Sequence, residues 1–391
     1  MGHADLTLPP EFLTNPYPYY SQLQDEDPVH RAEGVWLVTR YDDVASMLRD
    51  ERFGREGFRE FLRLTLPEPQ DEEAISMQFQ DPPGHTRLRR LLGKVFTVSL
   101  IQDFRAHIQR IVDGLLDRTR DVCGIDLIAD FAFPLPVHVI TELLGVPAAD
   151  RGLFHKWSFD VARGMEMQSV APVLGHTAKV HEAIVGYFGD ALAERRQHPR
   201  NDLLTKLITA EEDGDRLTEI ELDDICGLLF LACHETNVNL IGNCILALLL
   251  HPNELRLLRQ NAELLPRAVE EVLRYDSPVQ RVVRVARANV DIGGKTIAQG
   301  AVVAAALGAA NRDPARFSQP SRLDIARRNN SHLAFGAGGR FCLGAALARL
   351  ETQIAIGTLL SRLPNLELAA HPPVWRHSTE TRGLRELHVA F

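Results

Sequence analysis

Apolar residues recur along most of this chain at helical spacing, with short alternating runs near both ends. Pro9, Pro10, Pro16 and Pro18 punctuate an irregular start, and a short helix is expected over Tyr19–Leu23. Val29–Ala32 and Val35–Thr39 read as strands around Gly34, which suits a hairpin. A helix is expected over Asp42–Leu48. Residues 53–80 are less regular, mixing Phe58, Phe61, Leu62 and Leu64 with Pro67, Pro69 and the acidic run Asp71-Glu72-Glu73. Pro83 can open a helix. Helical periods follow over Leu100–Leu116, Val137–Leu144, Arg151–Val161 and His176–Arg195.

The longest predicted element starts at Thr218. Thr218-x-x-Glu221 is a capping box, which satisfies backbone N–H groups that a helix start leaves orphaned. The helix can run to Leu250, before Pro252, giving about 32 residues and roughly 48 Å. Ile225–Leu250 is apolar enough to be weighed as a membrane span, but His234-Glu235-Thr236-Asn237 in its middle makes that costly. A buried central helix is expected instead. Pro266 opens a helix over Arg267–Tyr275. Val282–Ala286, Val290–Ile292 and Ala301–Ala306 read as strands, with Gly293-Gly294 as a turn. An irregular stretch from Asn311 leads to Cys342. A helix follows through Ala345, Leu347, Leu350, Ile354 and Leu359, and Leu384–Val389 suits a last strand pair. No repeat or linker divides the chain, so one domain over residues 1–391 is expected, with residues 1–15 as an irregular lead-in.

Bulk properties narrow the partners. The net charge of −9 argues against generic nucleic-acid binding. Five cysteines are odd in number and sparse, so no disulfide framework is implied and a reducing cytosol fits. Met1-Gly2-His3-Ala4-Asp5-Leu6 has no basic-then-apolar signal, and Leu6 breaks the N-acylation pattern.

The candidate chemistry centres on Cys342. Gly336, Gly338, Gly339 and Gly344 let the backbone turn tightly and approach something large and flat. The sulfur falls at a helix mouth, where backbone N–H groups and the helix dipole favour an anion. A thiol so placed tends to ionise, and the thiolate is the metal-binding form. An inert buried cysteine is the ordinary alternative, and a nucleophile remains open. Zinc is disfavoured, because no second Cys or His lies two to five residues away. In the long helix, Glu235 and Thr236 are costly to bury unless paired, and Thr236 can bond back to the carbonyl of Ala232 and bend the helix. His85 and Arg89 share a helix face and suit a carboxylate.

Phe335-x-x-Gly338-x-x-x-Cys342-x-Gly344 resembles the haem-ligand signature of the cytochrome P450 family. Leu231-Ala232-Cys233-His234-Glu235-Thr236 and Glu271-x-x-Arg274 resemble two further family motifs, in the family's order, and the likeness covers about Pro9 to Val389. The resemblance implies a mainly α-helical fold with a smaller β region, in one large domain. It implies that Cys342 is the axial thiolate of a haem b iron, which favours O–O cleavage. His85, Arg89, Arg284 and Arg340 would meet the haem propionates. Glu235 and Thr236 would manage water and protons during oxygen activation. Glu271, Arg274 and Arg327 would be structural, tying down the cysteine loop. Leu228, Leu231, Ala232, Val282 and Val283 would line the substrate pocket. Residues 53–80 would form a mobile loop over that pocket, and Met165 and Met167 would touch substrate from a lid.

This sequence departs from the family pattern in three places. Cys233 stands where Gly is usual, and its side chain either narrows the gap to the haem or tilts away. Asn237 replaces a common Thr. In Ser378-Thr379-Glu380-Thr381-Arg382-Gly383, the last recognition loop, Thr379 and Glu380 are polar where apolar residues are usual. One of them is expected to anchor a polar or cationic group of the substrate, with a water-facing Glu380 as the equal alternative.

The implied function is a bacterial-type, cytoplasmic, monomeric monooxygenase without nucleic-acid or membrane partners. It would insert one atom of dioxygen into a small-to-medium organic substrate, by hydroxylation or epoxidation in secondary metabolism. Electrons would come from a separate ferredoxin or flavodoxin-like protein, docking near Arg90 and Arg105. Rival readings are oxidative coupling or a peroxide-driven oxidation on the same fold, a non-catalytic haem sensor, and a cysteine-nucleophile enzyme without haem. The sequence does not name the substrate.

Overall fold

The computed structural model describes residues 8–9, 11–32, 34–57, 76–166 and 170–391. Helices α1 (Tyr17–Glu26) and α2 (Tyr41–Arg49) flank the hairpin of β1 (Val29–Ala32) and β2 (Val35–Val38). With β3 (Phe53–Gly54), β4 (Arg281–Ala286) and β5 (Val302–Ala306) these strands make one sheet, ordered β1-β2-β5-β4-β3. β5 runs parallel to β2 and antiparallel to β4. Its Val302-Val303-Ala304-Ala305-Ala306 sequence is the continuous apolar run that a central strand requires. The register sets Arg284 opposite Val303.

The helical body comprises α3 (Gly84–Val95), α4 (Arg105–Asp117), α5 (Pro134–Leu143), α6 (Arg151–Glu166), α7 (Val170–Gln197), α8 (Glu219–Leu250), α9 (Leu265–Tyr275) and α10 (Ala345–Arg362). Leu91, Ile108, Phe154, Phe188, Phe230, Ile241, Val272 and Leu359 belong to one apolar cluster joining these helices. Thr218 and Glu221 form both bonds of the capping box, at 3.3 and 2.8 Å. From Asn237 to Leu248, α8 is buried at every position. It is long and apolar enough to cross a membrane by length and composition, yet 67% of that apolar window is buried. It is the core helix of the domain.

Several elements differ from expectation. The predicted helix over Leu100–Leu116 is two helices, Val98–Asp103 and α4, separated at Phe104. Thr97 caps the first by accepting from the Leu100 N–H at 3.2 Å, but the apolar spacing runs straight through Phe104 and carries no break signal. α7 spans Val170–Gln197 and exceeds the predicted His176–Arg195. The tail does not pair with itself. Leu384–Glu386 pairs with Val374–Trp375, whereas His388–Ala390 is the middle strand between Glu367–Leu368 and Gly124–Asp126. Residues 58–75 of the expected pocket loop, Met167 and the Met165 side chain lie outside the described residues.

Candidate active site

The cysteine loop is closed by its own backbone. Cys342 N–H donates to Phe335 O at 2.9 Å, and Gly336 N–H to Leu333 O at 2.8 Å. Gly338 has φ +70°, and a Cβ there would stand 2.8 Å from Leu48 O, so only glycine serves. Cys342 itself is exposed, and backbone N–H groups of Gly344 and Ala345 are directed at its sulfur. Desolvation pushes the thiol up, opposed by those N–H groups and by Arg89 and Arg349.

An ion-pair network built on the fully buried Glu271 and Arg274 ties into the loop. Arg274 donates twice to Glu271, at 2.8 and 2.9 Å, and Arg327 reaches the same carboxylate at 3.1 Å. Arg274 also donates to the carbonyls of Asn311, Pro320 and Arg322. Asn330 adds a bond to Glu271 at 3.2 Å, and Asn311 Oδ1 accepts from Leu333 N–H at the start of the cysteine loop. The structure thus brings Glu271, Arg274 and Arg327 together and links them, through Asn311, to the loop.

A second cluster gathers the expected propionate partners. His85 is buried on α3. Burial first, then Arg340, Arg89 and Arg284, push its imidazole down to about 4, so the ring is neutral. Arg284 is lowered to about 9 by burial and by Arg55 and Arg340, and Arg55 to about 10 by burial and Arg340. Arginine does not deprotonate in proteins, so the lowered values signal crowded cations that an added anion would relieve. Arg340 donates to Asp81 at 2.7 Å, and Glu56 accepts from the Asp81 N–H at 3.0 Å. Arg89, Arg284 and Arg340 thus gather around His85, with Arg55 beside Arg284 and Arg340, and Asp81, Glu56 and Glu380 are carboxylates that act on members of the group. A thiolate-capable sulfur and a cluster of crowded arginines fit a haem with its iron and two propionates.

The middle of α8 presents the other wall. Ala232 is exposed and Leu228, Leu231, Cys233, Glu235 and Thr236 are half-buried, immediately before the fully buried half of the helix. Thr236 Oγ1 donates to Ala232 O at 3.0 Å, and α8 nevertheless continues unbroken to Leu250. Cys233 leans toward the cysteine loop: its Sγ would lie 3.8 Å from a Cβ at Gly344, and burial, with Cys342 nearby, pushes its thiol up to about 12. Asn237 donates to Glu351 on α10 at 3.1 Å, and burial pushes that carboxyl up to about 8. His234 is buried with its ring edge-on to Phe133 at 4.4 Å.

Val282 and Val283 are half-buried on β4. The Glu380 carboxylate stands 3.4 Å from Arg281, with 55% of its side chain exposed. Thr379 is half-buried, and its carbonyl accepts from Arg281 at 2.9 Å. The neighbouring Thr381 is the one that reaches α8, donating to Glu235 Oε1 at 3.1 Å. Arg55, Asp81 and Thr381 were thus not singled out from sequence. Asp81 lies four residues before His85, a signal that could have found it, whereas Arg55 lies in an irregular stretch without a motif. A surface cleft of about 580 Å³ is lined by Pro82, Pro83, Thr86, Arg87, Arg90 and Asp215 and includes none of the residues gathered around Cys342.

Residues 169–368 match the family described as Cytochrome P450. The chain is 44% identical over 386 residues to "Cytochrome P450 107B1" of Saccharopolyspora erythraea, covering 95% of this chain and 93% of the relative. It is 43% identical over 393 residues to "Vitamin D(3) 25-hydroxylase" of Pseudonocardia autotrophica, covering 97% and 94%. Among solved structures it resembles P450BioI in complex with a hexadec-9Z-enoic acid ligated acyl carrier protein. The TM-score is 0.89 at 40% identity, over 97% of this chain and 100% of the other.

Proposed function

This chain belongs to the cytochrome P450 family, and from that premise we propose how its own residues serve the reaction. It is an oxidoreductase, a P450 monooxygenase, and its cofactor is haem with a cysteine thiolate as axial ligand. Bound haem supplies the oxygen chemistry and leaves binding, orientation and proton supply to the protein.

Cys342 is the proposed ligand. The observation that carries this reading is the Cys342 sulfur just before α10 with the Gly344 and Ala345 N–H groups directed at it. His85, Arg89, Arg284 and Arg340, joined by Arg55, would hold the two carboxylates, with Asp81 sharing Arg340. Glu235 takes up protons from solvent and passes them toward Thr236, whose hydroxyl is parked on Ala232 O. Glu271, Arg274 and Arg327 keep the loop in place.

Leu228, Leu231, Ala232, Val282 and Val283 give the substrate side an apolar wall, so the substrate proposed is an apolar organic molecule of small to medium size. It is hydroxylated or epoxidised in the making of a secondary metabolite. The acyl chain seen with P450BioI and the lipid in the hydroxylase's name are consistent with that class. Electrons come from a separate ferredoxin or flavodoxin-like protein, with exposed Arg90 and Arg105 on the docking face. The enzyme is proposed to act as a monomer in the cytoplasm. The Glu235–Thr236 pair favours dioxygen over a peroxide-driven route.

The test begins with an apolar ligand library, screened for displacement of water from the iron. Turnover of a hit with a surrogate ferredoxin and reductase under ¹⁸O₂ should place one labelled atom in the product. Glu235→Gln should slow product formation by about 10²-fold. Loss of less than twofold would remove Glu235 from proton supply.

A further inference from the structure

The loop before Gly383 is held from three sides. Arg382 Nε meets Asp276 at 2.5 Å, and its guanidinium lies over Trp375 at 3.7 Å. The Arg382 carbonyl accepts from Asn243 on α8 at 3.0 Å, and the Arg382 N–H donates to Pro278 O at 2.7 Å. Glu380 O accepts from the Gln280 N–H at 2.8 Å. Thr381 sits between these anchors, so little side-chain freedom is lost when it makes a bond. Its Oγ1 lies 3.1 Å from both Glu235 Oε1 and Ser378 Oγ.

The direction of these hydroxyl bonds is fixed by counting lone pairs. Ser378 Oγ accepts from the Glu380 N–H at 3.3 Å and from the Thr381 N–H at 3.1 Å. A hydroxyl oxygen has two acceptor lone pairs, so Ser378 has none left for Thr381 and must donate to it. The Thr381 proton is then free only for Glu235. The ladder runs one way, from backbone N–H groups through Ser378 and Thr381 to the carboxylate.

We propose that Thr381, oriented by Ser378, is a positioning residue for Glu235. It keeps Oε1 an acceptor, so that a proton carried by Glu235 rides on Oε2. This rests on the reading of Glu235 as the proton carrier and adds to it a link from the substrate-recognition loop to the acid. A substrate that displaces the Ser378–Thr381 segment would change how the carboxylate is aimed.

The test uses haem-loaded protein and an infrared readout that needs no substrate. The carboxylate stretch of Glu235 is isolated as the difference between the native protein and Glu235→Gln. Thr381→Val should shift that band, and Thr381→Ser should restore it. In parallel, hydrogen peroxide released per NADH is measured through a surrogate ferredoxin and its reductase. Thr381→Val should raise it about threefold to tenfold, as loss of one hydrogen bond to a charged group implies, and Thr381→Ser should return it. An unmoved Glu235 band in Thr381→Val would overturn the proposal. A shifted band with Glu235→Gln fully active would keep the bond and discard Glu235 as proton carrier instead.

Discussion

At the scale of single residues, neighbours on α8 have opposite fates. Glu235 and Thr236 are half-buried beside the substrate loop, whereas His234 is turned into the core, 4% exposed, with Nε2 3.3 Å from Phe133 O. Burial pushes the His234 ring down to about 3. In the unfolded chain it takes up a proton near pH 6.5. Between those values the unfolded state binds the extra proton, so stability falls as pH drops. The loss approaches about 1.4 kcal/mol per pH unit at most, and is about 1 kcal/mol between pH 6.5 and 5.5. Urea unfolding of native protein and His234→Leu at those two pH values checks this. The native protein should lose about 1 kcal/mol more than the variant. Parallel losses would show that the ring is not held neutral.

At the scale of elements, the site depends on close contact between α8 and the C-terminal loop. A Cβ on Gly383 would overlap Asn239 Oδ1, a side chain with no exposure. Gly383→Ala should therefore cost about 1–3 kcal/mol, measured as a lower unfolding midpoint of the haem-loaded protein. A change within 0.5 kcal/mol, roughly the size of a neutral surface substitution, would mean that the contact relaxes freely.

Some of these contacts are written locally in the sequence and others are not. The capping box at Thr218 needs only four residues, and both of its bonds form. Glu271 and Arg274 stand one helical turn apart, so their pairing is local too. Thr381 and Glu235 are 146 positions apart, and no period announces their bond. The direction in which Cys233 leans was likewise open, because it depends on how closely Gly344 lets the start of α10 approach. Arg55 becomes a member of the cation cluster only once β3 is laid beside β4.

At the scale of the molecule, the small sheet and the helical body each supply half of a site. β4 and α3 bring the cations, α8 brings the acid and alcohol, and the loop before α10 brings the sulfur. Crowding these arginines disfavours their charged forms, and an anion placed among them would relieve that. The most direct measurement is the absorption spectrum of the reduced, carbon monoxide-treated protein, native and Cys342→Ser. The native protein should show the strongly red-shifted Soret band of a thiolate-bound haem, and the Ser variant should lose it. A native protein that takes up no haem, or a Ser variant that keeps the red-shifted band, would contradict the account.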